Sequence, residues 1–493
     1  MSDTISSETV AAADSSKTKP LSLPLKLAYG FGSVSYGIKN GGFDYFLLIF
    51  YSQVIGLDAR LVGLAITLAL IFDAISDPVV GYWSDNVRSR WGRRHPFMYA
   101  AALPVACSYF ILWNPPANLS QQGLFWFLLI NAVLIRTCIT VYETPSSALA
   151  PDLTQDYDER SRLISFRYFF GWTGGNAMTV MMFLFMFPAF TTAAISDGQF
   201  NREAYRVYGL IASGLMFIAM IASAIGTHSK IPMLKKAPPK RDMGLLDVFK
   251  EVWETLSEPD FVKLFISAIF GAIASGMAAA LSFYFLTYFW GFDSLEKGAV
   301  LLGTFASAII GFALAPVISA RLGKKKGAMI IGAIAFAGSP LPILLRLLGW
   351  LPENGHPGIF WFVLISGIID LGLIICFQIL VASMGADLVE RSELKTGRRS
   401  EGIFTASMTF VRKSVQGFGL MAASVVLTLA GIASGANVEQ VSEAQIWRMG
   451  AFYVPTILSL WFIMMYVIST YQINRESHEA TLRQLADRNQ PAE

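Results

Sequence analysis

The chain has 493 residues, 54% of them hydrophobic and only 15% charged, with a mean hydropathy of +0.51. Soluble domains carry about 25% charged residues, so this composition excludes an ordinary water-soluble protein and indicates a polytopic helical membrane protein. The formal net charge of +3 matters less than where the charges fall, and it makes no case for a nucleic-acid partner.

In chain order, residues 1–24 are polar and rich in Ser, Ala, Thr and Lys, which predicts a disordered cytoplasmic tail with no cleavable signal sequence. Apolar runs then predict twelve spans. They lie near 25–54, 60–83, 97–114, 122–150, 162–190, 205–227, 260–290, 296–320, 327–350, 357–386, 402–434 and 446–472. The loops holding Arg88, Arg90, Arg93 and Arg94; Lys235, Lys236, Lys240 and Arg241; Arg321 and Lys324 to Lys326; and Arg391, Lys395, Arg398 and Arg399 are basic. The opposite loops are short and poor in Lys and Arg, so the basic set is expected to be cytoplasmic, with both termini inside a plasma (inner) membrane. Cys107, Cys138 and Cys376 all fall in apolar runs without metal-ligand spacing, as buried small residues do.

The long segment 229–259 divides the chain into bundles of six spans, 25–228 and 260–472, followed by a cytoplasmic tail, 473–493. Within it, Asp242 to Ser257 has helical apolar periodicity and is expected to lie along the membrane surface. A loose repeat supports the division. SRWGRRH (Ser89 to His95) recurs as ARLGKKKG (Ala320 to Gly327), and ALAPDLTQD (Ala148 to Asp156) as SMGADLVER (Ser383 to Arg391). Two related six-helix halves around a central cavity are the architecture of the major facilitator transporters. The predicted fold class is therefore an all-α polytopic membrane protein with twelve helices in two bundles.

The spans hold five acids, Asp44, Asp73, Asp77, Glu143 and Asp370, and five bases, Lys39, Arg136, Arg167, Arg412 and Lys413. Such residues are functional candidates. Asp73 and Asp77 stand out. Their i, i+4 spacing puts both carboxylates on one helix face. A single acid at the bilayer centre costs about 2.5–3.5 kcal/mol on insertion scales, and two neighbours also repel. A cation, a proton or a basic side chain must compensate them. Carboxylate and hydroxyl oxygens suit a hard cation, and Glu143 with Thr140 offers more of them from one face of span 4. Lys413 on span 11 would keep the carboxylates ionised when no cation is bound; alternatively, one acid could hold a proton. Arg136 and Asp370 occupy equivalent places in the two halves, where they could pair as a gate or bind substrate. The loop Asp85 to Arg94 (DNVRSRWGRR) sets topology and is also a candidate cytoplasmic clamp, through Asp85, Arg90, Gly92 and Arg93. No catalytic metal spacing or nucleophile elbow is present, which argues against an enzyme and against any cofactor beyond a coupling ion.

DAISDPVVG followed by SRWGRRHP, the opening YGFG (Tyr29 to Gly32), YETP (Tyr142 to Pro145) and EGIFTASMTFVRK (Glu401 to Lys413) together resemble the glycoside–pentoside–hexuronide:cation symporters of the major facilitator superfamily. The resemblance covers most of the chain. It implies a coupling-cation site, for Na+ or H+ with Li+ as a further possibility, built from Asp73, Asp77, Thr140 and Glu143 with Lys413 close by. Ser76 stands where the best-known member of the family has Asn, Gly37 where its galactoside carriers have an acid, and Ser147 where an aromatic ring stacks on the galactose. Lys39, Asn40 and Asp44 could substitute on span 1, and Arg167 keeps the family's basic residue on span 5. The expected function is monomeric, cation-coupled symport of a sugar, glycoside or sugar acid other than a melibiose-like galactoside. The related lysolipid symporters, which share the paired aspartates, are the alternative.

Overall fold

The computed structural model describes residues 21–154, 157–193, 195–233, 259–396, 401–436 and 438–471. The expected disordered tails and the surface helix Asp242 to Ser257 lie outside the described residues. Twelve helical segments run through the rest: α1 (23–54), α2 (Ala59–Asn86), α3 (His95–Leu112), α4 (Gln121–Ser147), α5 (157–189), α6 (Arg202–His228), α7 (259–289), α8 (Ser294–Leu322), α9 (324–347), α10 (Pro357–Thr396), α11 (Glu401–Ala430) and α12 (Glu443–Ser469). Among the described residues, nine helices are long and apolar enough to cross a membrane; α1, α2 and α11 fall outside that set.

Successive helices alternate in direction, so residues 23 and 469 mark a near end and the loops at 55–58 and 290–293 a far end. Helices that start at the far end are capped. Asp58 accepts from the Arg60 N–H, Ser120 from Gly123, and Asn201 from Glu203. Asp293 with Glu296 and Ser442 with Gln445 form full capping boxes. These side chains satisfy orphan backbone donors where few charges are available.

The first six helices pack chiefly on one another, through α2–α4, α1–α5, α3–α6 and α3–α4, and the last six through α7–α11, α8–α10, α9–α10 and α7–α12. The main bridges between halves are α2–α11, α1–α7 and α5–α8. They touch in the far half of the molecule. Thr67 donates to the Gly417 carbonyl at 2.8 Å, Arg60 to the Thr428 hydroxyl at 3.2 Å, and the Gly435 N–H to the Ser52 carbonyl at 2.8 Å. Phe283 of α7 stacks on Phe46 of α1, with ring centroids 5.4 Å apart. The halves are thus closed at the far end.

Several boundaries differ from expectation. Span 1 is not a single helix: it is interrupted at Gly32 and contains π-helical turns at Gly42–Phe46 and Phe50–Val54. Span 9 breaks at Ser339–Pro340, because proline cannot supply the next helical N–H. Span 10 continues as helix to Thr396, since its charged end keeps good helix formers after the apolar run stops.

The α1–α5 contact depends on glycine. A Cβ on Gly37 would lie 1.8 Å from the Gly171 carbonyl oxygen, and one on Gly175 would lie 2.6 Å from that of Gly37. Small residues let membrane helices approach this closely. The absence of an acid at position 37 is therefore a packing requirement here. Gly37→Ala is expected to destabilise the first bundle by about 1–3 kcal/mol, read as a lower Tm of the detergent-solubilised protein. An unchanged Tm would show that α1 and α5 can part at no cost.

Candidate functional site

The centre of the first bundle places α2 against α4. Asp73 is 4% exposed, Arg136 5% and Thr140 2%. The Thr140 hydroxyl lies 3.0 Å from Asp73 Oδ1 and 2.8 Å from Asp77 Oδ1. Arg136 Nη1 is 3.2 Å from Asp73 Oδ2. The Arg136 guanidinium also sits over the Phe43 ring, 4.8 Å from its centroid. Positions 136, 140 and 143 project from α4 toward α2 and α5 because they are spaced about one helical turn apart.

Of the expected cation ligands, Asp73, Asp77 and Thr140 come together. Glu143 has Arg167 of α5 as its ion-pair partner through Oε1, while its Oε2 is buried with no hydrogen-bond partner. Arg167 also donates to the Ser146 hydroxyl at 3.1 Å and lies over the Tyr29 ring. The two charges thus form a second centre, between α4, α5 and α1. Ser76 points its hydroxyl back to the Asp73 carbonyl at 3.0 Å, on its own helix. Lys413 and Arg412 lie on α11, but their side chains fall outside the described residues. Gly417, one turn further along α11, packs on Thr67 and Leu70, so the register brings residue 413 to the level of Asp73.

Arg136 and Asp370, for which pairing or substrate binding was open, do not meet in this conformation. Arg136 is bonded to Asp73. Asp370 faces α9, where a Cβ on Gly338 would meet its Oδ1 at 3.2 Å, and that oxygen is buried without a hydrogen-bond partner. Equivalent positions in a repeat need not face one another, because each half turns its own side chains toward different neighbours.

Lys39 is 4% exposed, with its ammonium 4.9 Å from the centroid of the Tyr36 ring, and Asn40 beside it is half-buried. Asp44 and Arg136 line a cavity of about 20 Å³ with Phe43, Ile66, Leu70, Gly276 and Leu420. The cavity joins helices of both halves and has room for about one water.

At the near end, Arg93 Nη2 donates to both oxygens of Asp152, at 2.8 and 2.9 Å, and Arg94 reaches both Asp152 at 3.6 Å and the Ser84 hydroxyl at 3.2 Å. Gly92 supplies a left-handed turn, φ +73°, that lets the arginines follow the exposed Trp91. Arg90 is exposed, its guanidinium 5.4 Å from the Trp91 ring. The Asp85 side chain lies outside the described residues. The motif therefore clamps the α2–α3 loop to the α4–α5 linker of its own half. At the start of α5, Glu159 is bonded by Lys26 at 2.8 Å, which holds that carboxyl below its usual range.

Sequence reasoning missed a polar cluster at the far end. Lys297 of α8 is fully buried, with its ammonium 2.7 Å from Asp197, 2.7 Å from Gln199 and 3.2 Å from Thr287. The available signal was a lysine at the start of an apolar run, beside the capping pair Asp293 and Glu296.

A family model described as MFS/sugar transport protein matches residues 28–475. The isoprimeverose transporter of Lactiplantibacillus pentosus is 24% identical, over 88% of this chain and 85% of its own. The sodium-dependent lysophosphatidylcholine symporter 1 of Gallus gallus is 22% identical, over 95% of this chain and 90% of its own. Among solved structures, that of the nucleoside transporter NupG superposes with a TM-score of 0.57 at 14% identity, over 91% of this chain and 99% of the other.

Proposed function

The chain belongs to the MFS/sugar transport protein family and has the major facilitator fold, and on that footing we propose that it couples the entry of a cation, Na+ or H+, to symport of a sugar, glycoside or sugar acid by alternating access. It is a multi-pass membrane transporter and not an enzyme. The observation that carries the cation reading is the run of oxygens Asp73 Oδ1, Thr140 Oγ1 and Asp77 Oδ1, spaced 3.0 and 2.8 Å. A hydroxyl has one proton and can satisfy one carboxylate at a time. A proton or a monovalent cation seated among these converging oxygens would offset the repulsion between the two carboxylates, and oxygen donors suit a hard ion.

The proposed cation ligands are Asp73, Asp77 and Thr140. Glu143 is a candidate that could join them once Arg167 lets go, and Lys413 is assigned charge balance. Lys39, Asn40, Asp44, Arg136 and Arg167 are assigned to substrate, since Arg136 and Asp44 line the cavity shared by the two halves. Asp370 lies against α9 and takes a lesser place in that reading. The bundles 25–228 and 260–472 then rock about the loaded site. The near end is assigned to the cytoplasm, from its basic loops, and the membrane to the plasma membrane. Cation binding raises substrate affinity, and linkage requires substrate to raise cation affinity by the same factor.

The lysolipid reading is favoured by the apolar members of the cavity wall, Phe43, Ile66, Leu70 and Leu420. The deciding test is a thermal-shift screen of purified protein against neutral sugars, uronides and lysophosphatidylcholine, each with sodium, with lithium and across pH. The proposal expects a sugar or uronide to raise Tm further when the cation is present than when it is absent. A cation-dependent shift with lysophosphatidylcholine alone would transfer the assignment to lipid, and no cation effect with any compound would end the symport reading.

A further inference from the structure

We infer that Lys297 and Asp197 form the latch that holds the two halves shut at the far end, and that its parting is the step that opens the carrier to that side. The inference rests on the alternating-access reading above.

The cluster joins the two halves by charge. Lys297 and Thr287 belong to the second half; Asp197 and Gln199 belong to the α5–α6 connection of the first. An ammonium has three hydrogens, and here three oxygens from Asp197, Gln199 and Thr287 receive them. Phe183 of the first half covers the ammonium, with its ring centroid 5.6 Å away. The other oxygen of Asp197 accepts from the Gln199 N–H at 2.9 Å and from the Ser294 hydroxyl at 3.3 Å, the latter again across the halves. A buried lysine is tolerated only when paired and hydrogen-bonded, and this one is complete only when the halves meet.

The first-half partner is held in place before closure. Gly198 packs so tightly on the end of α5 that a Cβ there would lie 1.9 Å from the Phe187 carbonyl oxygen. Asn201 caps α6 and also donates to the Phe190 carbonyl at 2.8 Å. Asp197 is therefore presented by a braced turn. When the halves part, Lys297 keeps only Thr287 of its three partners, and water takes the places of Asp197 and Gln199. The latch thus exchanges protein partners for water without leaving a charge stranded in either state.

This gives an ordered set of effects. Asp197→Asn leaves the ammonium buried without its counter-charge in the closed state but costs nothing in the open one, so it shifts the balance toward open. Lys297→Met removes the buried charge itself and leaves Asp197, which is 20% exposed, near water. It should shift the balance less, and in combination it should undo the effect of Asp197→Asn. The reporter is Ser52→Cys, in full-length protein whose three native cysteines are alanine. Ser52 is fully buried at the same seam. Its labelling by a polar maleimide in detergent reads the open fraction.

The expected result is a rise in labelling rate on the order of tenfold to a hundredfold for Asp197→Asn, a smaller rise for Lys297→Met, and a return toward the wild-type rate in the double variant. Equal rates in all four proteins, with measurable labelling, would show that the pair does not hold the halves. A rise in Asp197→Asn that Lys297→Met fails to reverse would mean general loosening and would overturn the latch equally. No labelling in any protein would show that the halves never part at this end, and the alternating-access reading would fall with it.

Discussion

Asp77→Asn is expected to abolish the stabilisation that the coupling cation gives the purified protein, while leaving the cation-free protein as stable as wild type or more so. Asp77 shares the Thr140 hydroxyl with Asp73. With two carboxylates at that hydroxyl, like charges oppose one another inside a low-dielectric interior. An amide at position 77 keeps one oxygen for Thr140 and removes the negative charge, so the empty site loses a repulsion. The same change removes the charge that attracts the cation. A ligand that binds only the folded state stabilises it by about 2.7 kcal/mol at a hundredfold excess over Kd, and that increment should vanish. The measurement is Tm in detergent as sodium, lithium or pH is varied. The variant should also fail to accumulate substrate against a gradient. A full sodium response retained by Asp77→Asn would remove Asp77 from the site; a response to pH alone in the wild type would make the coupling ion a proton.

The two aspartates were legible because helical spacing is local: i, i+4 puts side chains on one face whatever the rest of the chain does. The twelve segments were legible for a related reason, since apolar length reports a membrane crossing directly. Thr140 entered through its spacing from Glu143 on span 4, with the family resemblance in support, and the structure brings it to both carboxylates. What could not be read was which helix face meets which. Arg136 and Asp73 lie 63 residues apart, and their contact depends on the rotation and register of α4 against α2. The choice of Arg167 as Glu143's partner depends likewise on α5, whose close approach to α1 is set by Gly37, Gly171 and Gly175. The latch is the extreme case: Asp197 is in a loop, Lys297 at a helix start 100 residues away, and neither belongs to a motif. Their contact exists only because the halves are closed at the far end, and a conformation cannot be read from composition or spacing.

Arg136→Met is the second change with a large expected effect, and it acts in the opposite sense from Asp77→Asn. Methionine keeps much of the side chain's length and its contact with Phe43 but withdraws the guanidinium from Asp73. Asp73 is 4% exposed, so water cannot readily replace the lost partner. Removing one member of a buried ion pair costs about 3–5 kcal/mol, chiefly because the remaining charge stays buried. The Thr140 hydroxyl and the other contacts of Asp73 set where in that range the loss falls. Two further results follow from attributing the loss to charge. Adding Asp73→Asn to Arg136→Met should restore much of the stability, because the stranded carboxylate is gone. The coupling cation should stabilise Arg136→Met more than it does the wild type, because it then supplies positive charge that Arg136 formerly gave. Tm of the single and double variants, each with and without sodium, measures all three effects. If Arg136→Met melts with the wild type and responds to sodium identically, the guanidinium contributes nothing to Asp73, and Arg136 is left with the cavity wall as its place of action. If it is destabilised but Asp73→Asn brings no recovery, the loss arises from packing against Phe43 and not from the ion pair.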